Sequence, residues 1–336
     1  MRDTSTIAWI DAPFPHGRWG PPDSLTLPLS DRGLQLADGL FETVLVEGGK
    51  PLLLAEHLAR WRASAELLAM APPPGAEVVK PLINAAIQRL AGHVQTQDRD
   101  VDCRGSLHAP TDPSRRGRRS RQRSNAPPDP AHRDQPVAEG LGAALRLNWS
   151  RGHSVGEACR GIALPVSGQP PLQPRFWLQL SLWQPDFNPI DVIISREERR
   201  NTYSRLSRCK TFAYGASIQA RLEARAAGAD DALLLSTTGE LCCGTTANLL
   251  VRRGERWLTP PLSSGCLPGV MRAQALARGW VLEQRLDPQH LWGSDGALLI
   301  NSLGCHPVLR CDGRALPPLE TGEKLWRALL DPHRSG

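Results

Sequence analysis

Lys210 lies in the run Arg208-Cys209-Lys210-Thr211-Phe212-Ala213-Tyr214. A lysine amine that is partly deprotonated attacks carbonyl carbon, and once freed it can move protons as base and acid. Two other runs suit an anion. Leu267-Pro268-Gly269-Val270-Met271-Arg272 sets Pro and Gly just before a helical stretch. A helix N-terminus there presents free N–H groups and the positive end of a dipole. Arg60, in Glu56-His57-Leu58-Ala59-Arg60, adds a guanidinium, whose paired donors fit a phosphate better than a lysine does. Taken singly these are ordinary residues, since most lysines and arginines are solvated surface charges.

Their spacing gives them meaning, and regular elements must hold that spacing. After Lys210 a helical stretch over about 211–227 ends at Gly228-Ala229-Asp230-Asp231-Ala232. The apolar strand Leu233-Leu234-Leu235 and a turn at Thr238-Gly239 follow. Next come Cys242-Cys243-Gly244-Thr245-Thr246-Ala247-Asn248-Leu249-Leu250 and Thr259-Pro260-Pro261-Leu262, then a helix over about 268–279 and a last one near 317–330. Upstream, Leu25–Leu29 and Phe41–Val46 look like strands, and Gly48-Gly49 signals a hairpin into Pro51–Leu54. From Ala55 apolar residues recur at helical spacing (Leu58, Trp61, Ala65, Leu68) until Pro72-Pro73-Pro74-Gly75. A second helix is expected from about Glu77 to Leu90, and strands near 143–149, 176–182 and 192–195.

The 336 residues suffice for two domains, and 40% hydrophobic residues suffice for a sizeable core. No apolar run reaches 18 residues, so no transmembrane helix is expected. Met1-Arg2-Asp3-Thr4 opens no signal-like apolar region. Eight cysteines show no metal-ligand spacing, which fits reduced thiols in the cytoplasm and no metal. The net charge of +6 is local: residues 113–123 carry six arginines and no acid. That run could attract nucleic acid, but it lacks interleaved aromatics, and a nucleic-acid partner is not expected. Residues 93–140 hold few large apolar side chains and are read as a disordered insertion. The expected division is a smaller N-terminal domain over 1–150 and a larger C-terminal domain over 151–336.

The ordered runs after Lys210 resemble the fold-type IV pyridoxal-phosphate enzymes, the class IV aminotransferase family. So does Asp31-Arg32-Gly33-Leu34-Gln35-Leu36-Ala37-Asp38-Gly39-Leu40-Phe41-Glu42-Thr43, which is similar to the family's Arg-x-x-x-x-Gly-Asp-Gly-x-Phe-Glu-Thr with Ala37 for the first glycine. The resemblance spans about 30–92 and 143–310. It implies a two-domain α+β or α/β fold, like that of D-amino acid aminotransferase, with pyridoxal 5′-phosphate at the domain interface. It implies that Lys210 carries the cofactor as a Schiff base. Arg60, the Val270 and Met271 amides and a Ser302 hydroxyl then hold the phosphate, and Asn248 completes the cofactor site. Arg160, after Ser150-Arg151-Gly152, becomes a candidate for a substrate carboxylate. The family usually has Glu four residues after the turn glycine and five before the asparagine, as the pyridine-nitrogen partner. Here that position is Cys243, and a thiol, a weak donor and acceptor, serves the ring nitrogen less well than a carboxylate. Glu240, three residues earlier, fits only with a shifted register.

Three activities share the fold type: branched-chain aminotransferase, D-amino acid aminotransferase and 4-amino-4-deoxychorismate lyase, which releases pyruvate and leaves 4-aminobenzoate, a folate precursor. Asn301-Ser302-Leu303-Gly304-Cys305-His306-Pro307-Val308 and Thr245-Thr246-Ala247-Asn248-Leu249 are most similar to the lyase. The resemblance also implies a homodimer acting on a small-molecule substrate. A catalytically weak pseudoenzyme of the same fold is the alternative that Cys243 and the insertion leave open.

Overall fold

Strand β3 (Gly39–Glu47) lies one strand in from the edge of the first sheet, and its residues alternate between two destinations. Leu40, Val44 and Val46 enter one core, while Phe41 and Thr43 turn the other way, toward a cavity. The computed structural model describes residues 5–11, 17–105, 142–153, 161–165, 171–320 and 322–331. With β1 (Thr6–Ile10), β2 (Arg18–Gly20), β4 (Lys50–Pro51), β5 (Gly142–His153) and β6 (Gln173–Leu182), β3 forms an antiparallel sheet in the order β2-β1-β6-β5-β3-β4. The short helix α1 (Arg32–Leu36) leads into β3, capped by the Asp31 carboxylate. Gly48 and Gly49, both with positive φ, make the β3–β4 turn.

Helices α2 (Leu54–Leu67) and α3 (Ala76–Gly105) cover one face of this sheet. Trp61, Ala65, Val79, Ile83, Ala86 and Leu90 pack there with Leu145, Leu147, Leu178 and Leu180. Since side chains alternate along β5, Arg146 and Asn148 are left on the opposite face.

The second sheet comprises β7 (Ile190–Arg200), β8 (Asp231–Ser236), β9 (Leu241–Gly244), β10 (Asn248–Arg253), β11 (Arg256–Thr259), β12 (Val281–Glu283), β13 (Ala297–Asn301), β14 (Gly304–Cys311) and β15 (Arg314–Ala315). Its order is β12-β11-β10-β13-β14-β7-β8-β9, with β15 on β14. Strand β9 also pairs with β10 through Asn248 opposite Cys243, so six strands close into a barrel-like ring. Helix α4 (Gly215–Ala226) lays Ala220 and Ala224 on Ala232 and Leu234. Helices α5 (Val270–Ala277), α6 (Pro288–Trp292) and α7 (Gly322–Leu330) complete the layer. Among the described residues no helix is long and apolar enough to cross a membrane.

The structure departs from the sequence expectations in three places. Strand β6 pairs with β1 and β5, so the first sheet runs past 150 and the chain passes to the second sheet after Leu182. Long-range pairing of this kind leaves no local mark. Leu25–Leu29 forms no strand and Leu29 is exposed; Pro28 lacks an N–H to pair. Helix α3 continues to Gly105 beyond the expected end at Leu90, so 93–105 is not unstructured. Residues 106–141, the rest of the expected insertion, lie outside the described residues.

Candidate active site

The segment carrying Lys210 is pinned between the two sheets. Phe41 N–H donates to the Lys210 carbonyl (2.9 Å), Phe212 N–H donates to the Gly39 carbonyl (3.0 Å), and Leu40 bridges Thr211. Gly39 permits this approach: a Cβ there would stand 2.2 Å from the Phe212 ring. The Lys210 side chain turns into a cavity of about 880 Å³. Its Nζ donates to the Tyr214 hydroxyl at 3.1 Å and lies 4.5 Å from the Phe41 ring centroid.

Across the cavity, α5 begins at Val270 with Gly269 as its N-cap and no side-chain cap. Its first N–H groups have no helical acceptor. Gly269 has no room for a side chain, because a Cβ would meet Asn248 Oδ1 at 1.9 Å. Asn248 Nδ2 also donates to the Leu267 carbonyl (3.0 Å), so Asn248 grips the loop that leads into α5. Arg60 reaches the same place from α2. Its NH1 donates to the Pro268 carbonyl (3.1 Å), and its Nε and NH2 donate to the two Glu42 oxygens (2.9 and 2.5 Å). Of the five N–H donors of a guanidinium, these three bonds leave two for a ligand.

Glu42 and His57 were read from sequence only as parts of recognisable runs, and the structure makes them a buried network. His57 Nδ1 donates to Glu42 (2.7 Å), while Nε2 lies 3.2 Å from the Ser302 hydroxyl on the β13–β14 turn. Desolvation by itself would raise the Glu42 carboxyl. The Arg60 charge and the bonds from His57 and Arg60 outweigh it, and bring the pKa from 4.5 down to about 2. A depressed carboxylate stabilises the fold fully above its unfolded value, and that contribution drains as pH falls toward the folded one. Glu42→Gln should therefore cost about 3–5 kcal/mol at neutral pH, the penalty for breaking a buried pair. Urea unfolding should show the gap to wild type closing between pH 4.5 and pH 2. A gap that is constant with pH would contradict this electrostatic account.

Cys243 is buried on β9, lines the cavity and faces Asn248 across the barrel closure. Glu240 is occupied elsewhere: it accepts from Ser264 (2.9 Å) and Arg285 (2.6 Å) and does not line the cavity. Arg60, Lys210, Cys243, Asn248, Val270, Met271 and Ser302 thus border one cavity. Arg160 lies outside the described residues.

Arg146 was missed in the sequence, although polar residues alternating along β5 signal its placement on the cavity face. Its guanidinium carbon is 3.7 Å from the Phe41 ring centroid, and its Nε donates to Asn148 Oδ1 (2.8 Å). Among the described residues no carboxylate pairs with it. Burial holds it below the usual guanidinium range, a shift that Tyr214 partly offsets.

These groups fit a phosphorylated, carbonyl-bearing ligand. The uncapped helix end and the spare Arg60 donors suit a phosphate, and among the described residues Lys210 offers the one amine that borders the cavity. A sequence model of class IV aminotransferases matches residues 39–113 and 130–311. A branched-chain-amino-acid aminotransferase-like protein of Arabidopsis thaliana is 26% identical over 185 residues, which cover 51% of this chain and 31% of that protein. Three solved structures share the fold. A fold IV-transaminase from Curtobacterium pusillum has a TM-score of 0.68 and 22% identity, covering 97% of each chain. A hypothetical aminotransferase from Mycobacterium tuberculosis in a PLP-bound form has a TM-score of 0.67 and 21% identity, covering 97% of this chain and 100% of that one. A candidate 4-amino-4-deoxychorismate lyase from Legionella pneumophila has a TM-score of 0.63 and 23% identity, covering 91% and 95%. With its sheets, its closed ring and its lysine between them, the chain belongs to the class IV aminotransferase family and has the fold of the fold-type IV pyridoxal-phosphate enzymes.

Proposed function

We propose that this protein is a 4-amino-4-deoxychorismate lyase, releasing pyruvate and 4-aminobenzoate from its substrate. Its cofactor is pyridoxal 5′-phosphate, which when bound supplies an electron sink for charge developing at the substrate carbon. Lys210 holds the cofactor and then moves the proton at that carbon. Arg60, the Val270 and Met271 amides and Ser302 hold the phosphate, and Asn248 keeps their loop in place. Cytoplasmic action as a homodimer belongs to the same reading.

The observation that carries the lyase reading over transamination is Cys243. It borders the cavity where the family pattern has a carboxylate, and Glu240, the nearest acid before it in sequence, is held by Ser264 and Arg285 outside the cavity. A thiol is a weak partner for a ring nitrogen. Elimination tolerates this, because the departing enolpyruvyl group and the aromatising ring relieve the charge. Transamination depends more heavily on the sink. Cys243→Glu should therefore raise amino transfer to a 2-oxo acid relative to pyruvate release, and shift the visible absorbance of the cofactor-loaded protein. If neither changes, Cys243 does not face the ring.

The cavity also offers Arg146 to a second anion. The lyase substrate carries two carboxylates, and an unpaired guanidinium in a desolvated wall recognises one of them at about 1.5–3 kcal/mol. Arg146→Gln should raise KM by roughly ten-fold or more, with a smaller effect on kcat. An unchanged KM would remove this role. The activity itself is tested by supplying aminodeoxychorismate to the cofactor-loaded protein and following both products. Equimolar pyruvate and 4-aminobenzoate are expected. Amino transfer without pyruvate would establish an aminotransferase instead.

A further inference from the structure

Ser302, His57 and Glu42 form a hydrogen-bonded line that begins in the cavity and ends in the buried layer under α2. His57 and Glu42 are each only 1% exposed, so neither exchanges its partner for water. Glu42 is a carboxylate and has no proton to give, so His57 Nδ1 must carry hydrogen and donate to it. The second ring nitrogen then has two choices. In neutral His57, Nε2 has a lone pair and accepts the Ser302 O–H. In protonated His57, Nε2 donates to the Ser302 oxygen and leaves the hydroxyl hydrogen free. The two states present opposite faces of Ser302 to the cavity. One shows an anion only oxygen lone pairs, and the other offers it an O–H donor.

Ser302 borders the cavity together with Arg60, Val270 and Met271. Resting on the reading that a phosphate ester binds among these groups, we propose that its binding draws a proton from solvent onto His57 Nε2 and turns Ser302 into a donor. His57 becomes a positioning residue whose charge state sets what Ser302 can do. The charges around it allow this. Strand β3 supplies Glu42. Helix α2 supplies Arg60, already committed to Glu42, and Glu56, which accepts from Gln274 of α5 at 3.4 Å. The loop before α5 supplies the Pro268 carbonyl through Arg60, and the β13–β14 turn supplies Ser302. Lys210 borders the same cavity from the opposite sheet connection. Glu42 thus balances Arg60 while the cavity is empty of anions, and a dianion supplies the extra negative charge that a second cation needs. Linkage is reciprocal: if the anion favours protonated His57, protons favour the anion.

The test is calorimetric titration of the cofactor-free full-length protein with pyridoxamine 5′-phosphate. This ligand has no aldehyde and forms no bond to Lys210. Measurements at about pH 8, where the phosphate ester is already a dianion, in buffers of differing ionisation enthalpy count the protons taken up. Wild type should take up about one proton more than His57→Gln. Its Kd should rise with pH more steeply than that of the variant. Ser302→Ala retains the buried His57–Glu42 bond and guards against misfolding of His57→Gln; it too should lose the uptake. Equal proton counts in wild type and Ser302→Ala, with the ligand bound to both, would overturn the proposal and leave the phosphate site standing. Binding of unphosphorylated pyridoxamine as tight as that of its phosphate would overturn the phosphate site and the proposal together.

Discussion

Lys210→Ala should lose turnover by about 10⁴-fold, the upper end of what one positioned acid–base group contributes. The expectation follows from the geometry around the amine. Two backbone hydrogen bonds, at Lys210 and at Phe212, fix this segment against β3, and Tyr214 and Phe41 hold the Lys210 side chain in the cavity. Among the described residues no second lysine borders that space to take over. The variant should stay folded, since the Phe41 and Phe212 backbone bonds need no lysine side chain. Steady-state turnover in excess pyridoxal phosphate, with a circular dichroism spectrum as the folding check, measures this. Activity within ten-fold of wild type would remove Lys210 from the chemistry.

Arg60→Ala should weaken binding of pyridoxal phosphate by about 1.5–3 kcal/mol, on the order of ten- to 150-fold. Two losses combine. The ligand loses the guanidinium donors that Glu42 and Pro268 leave free, and Glu42 loses the charge that keeps it ionised. Arg60→Lys separates them, because a lysine retains the charge without the paired donors. Its affinity should fall between those of wild type and Arg60→Ala. Equilibrium titration of the cofactor-free protein gives the comparison, and unchanged affinity in Arg60→Ala would make Arg60 a structural partner of Glu42 alone.

Much of this cavity could be read from the chain because short strands and turns fix distances. The separation of nine positions between Gly239 and Asn248 allows one tight return, so Cys243 and Asn248 meet across the barrel closure. The Pro268-Gly269 pair likewise marks the start of α5. Contacts that join remote segments carried no such mark. Ser302 and His57 are 245 residues apart and Glu42 and His57 are 15 apart, and neither pairing follows from a local pattern. Strand β6 was visible as a strand, but its place beside β1 was decided by burial of Leu178 and Leu180 under α2 and α3. Ala37 shows the reverse case. It takes the left-handed conformation (φ 54°) where the family pattern has glycine, so the turn geometry persists at a cost of about 1 kcal/mol.

On the proposed function, the lysine pinned between the two sheets carries the cofactor. Borohydride reduction of the pyridoxal-phosphate-loaded protein, followed by proteolysis and mass mapping, tests it directly. The phosphopyridoxyl mass is expected on Lys210. A label on another lysine, or none after reduction, would contradict it.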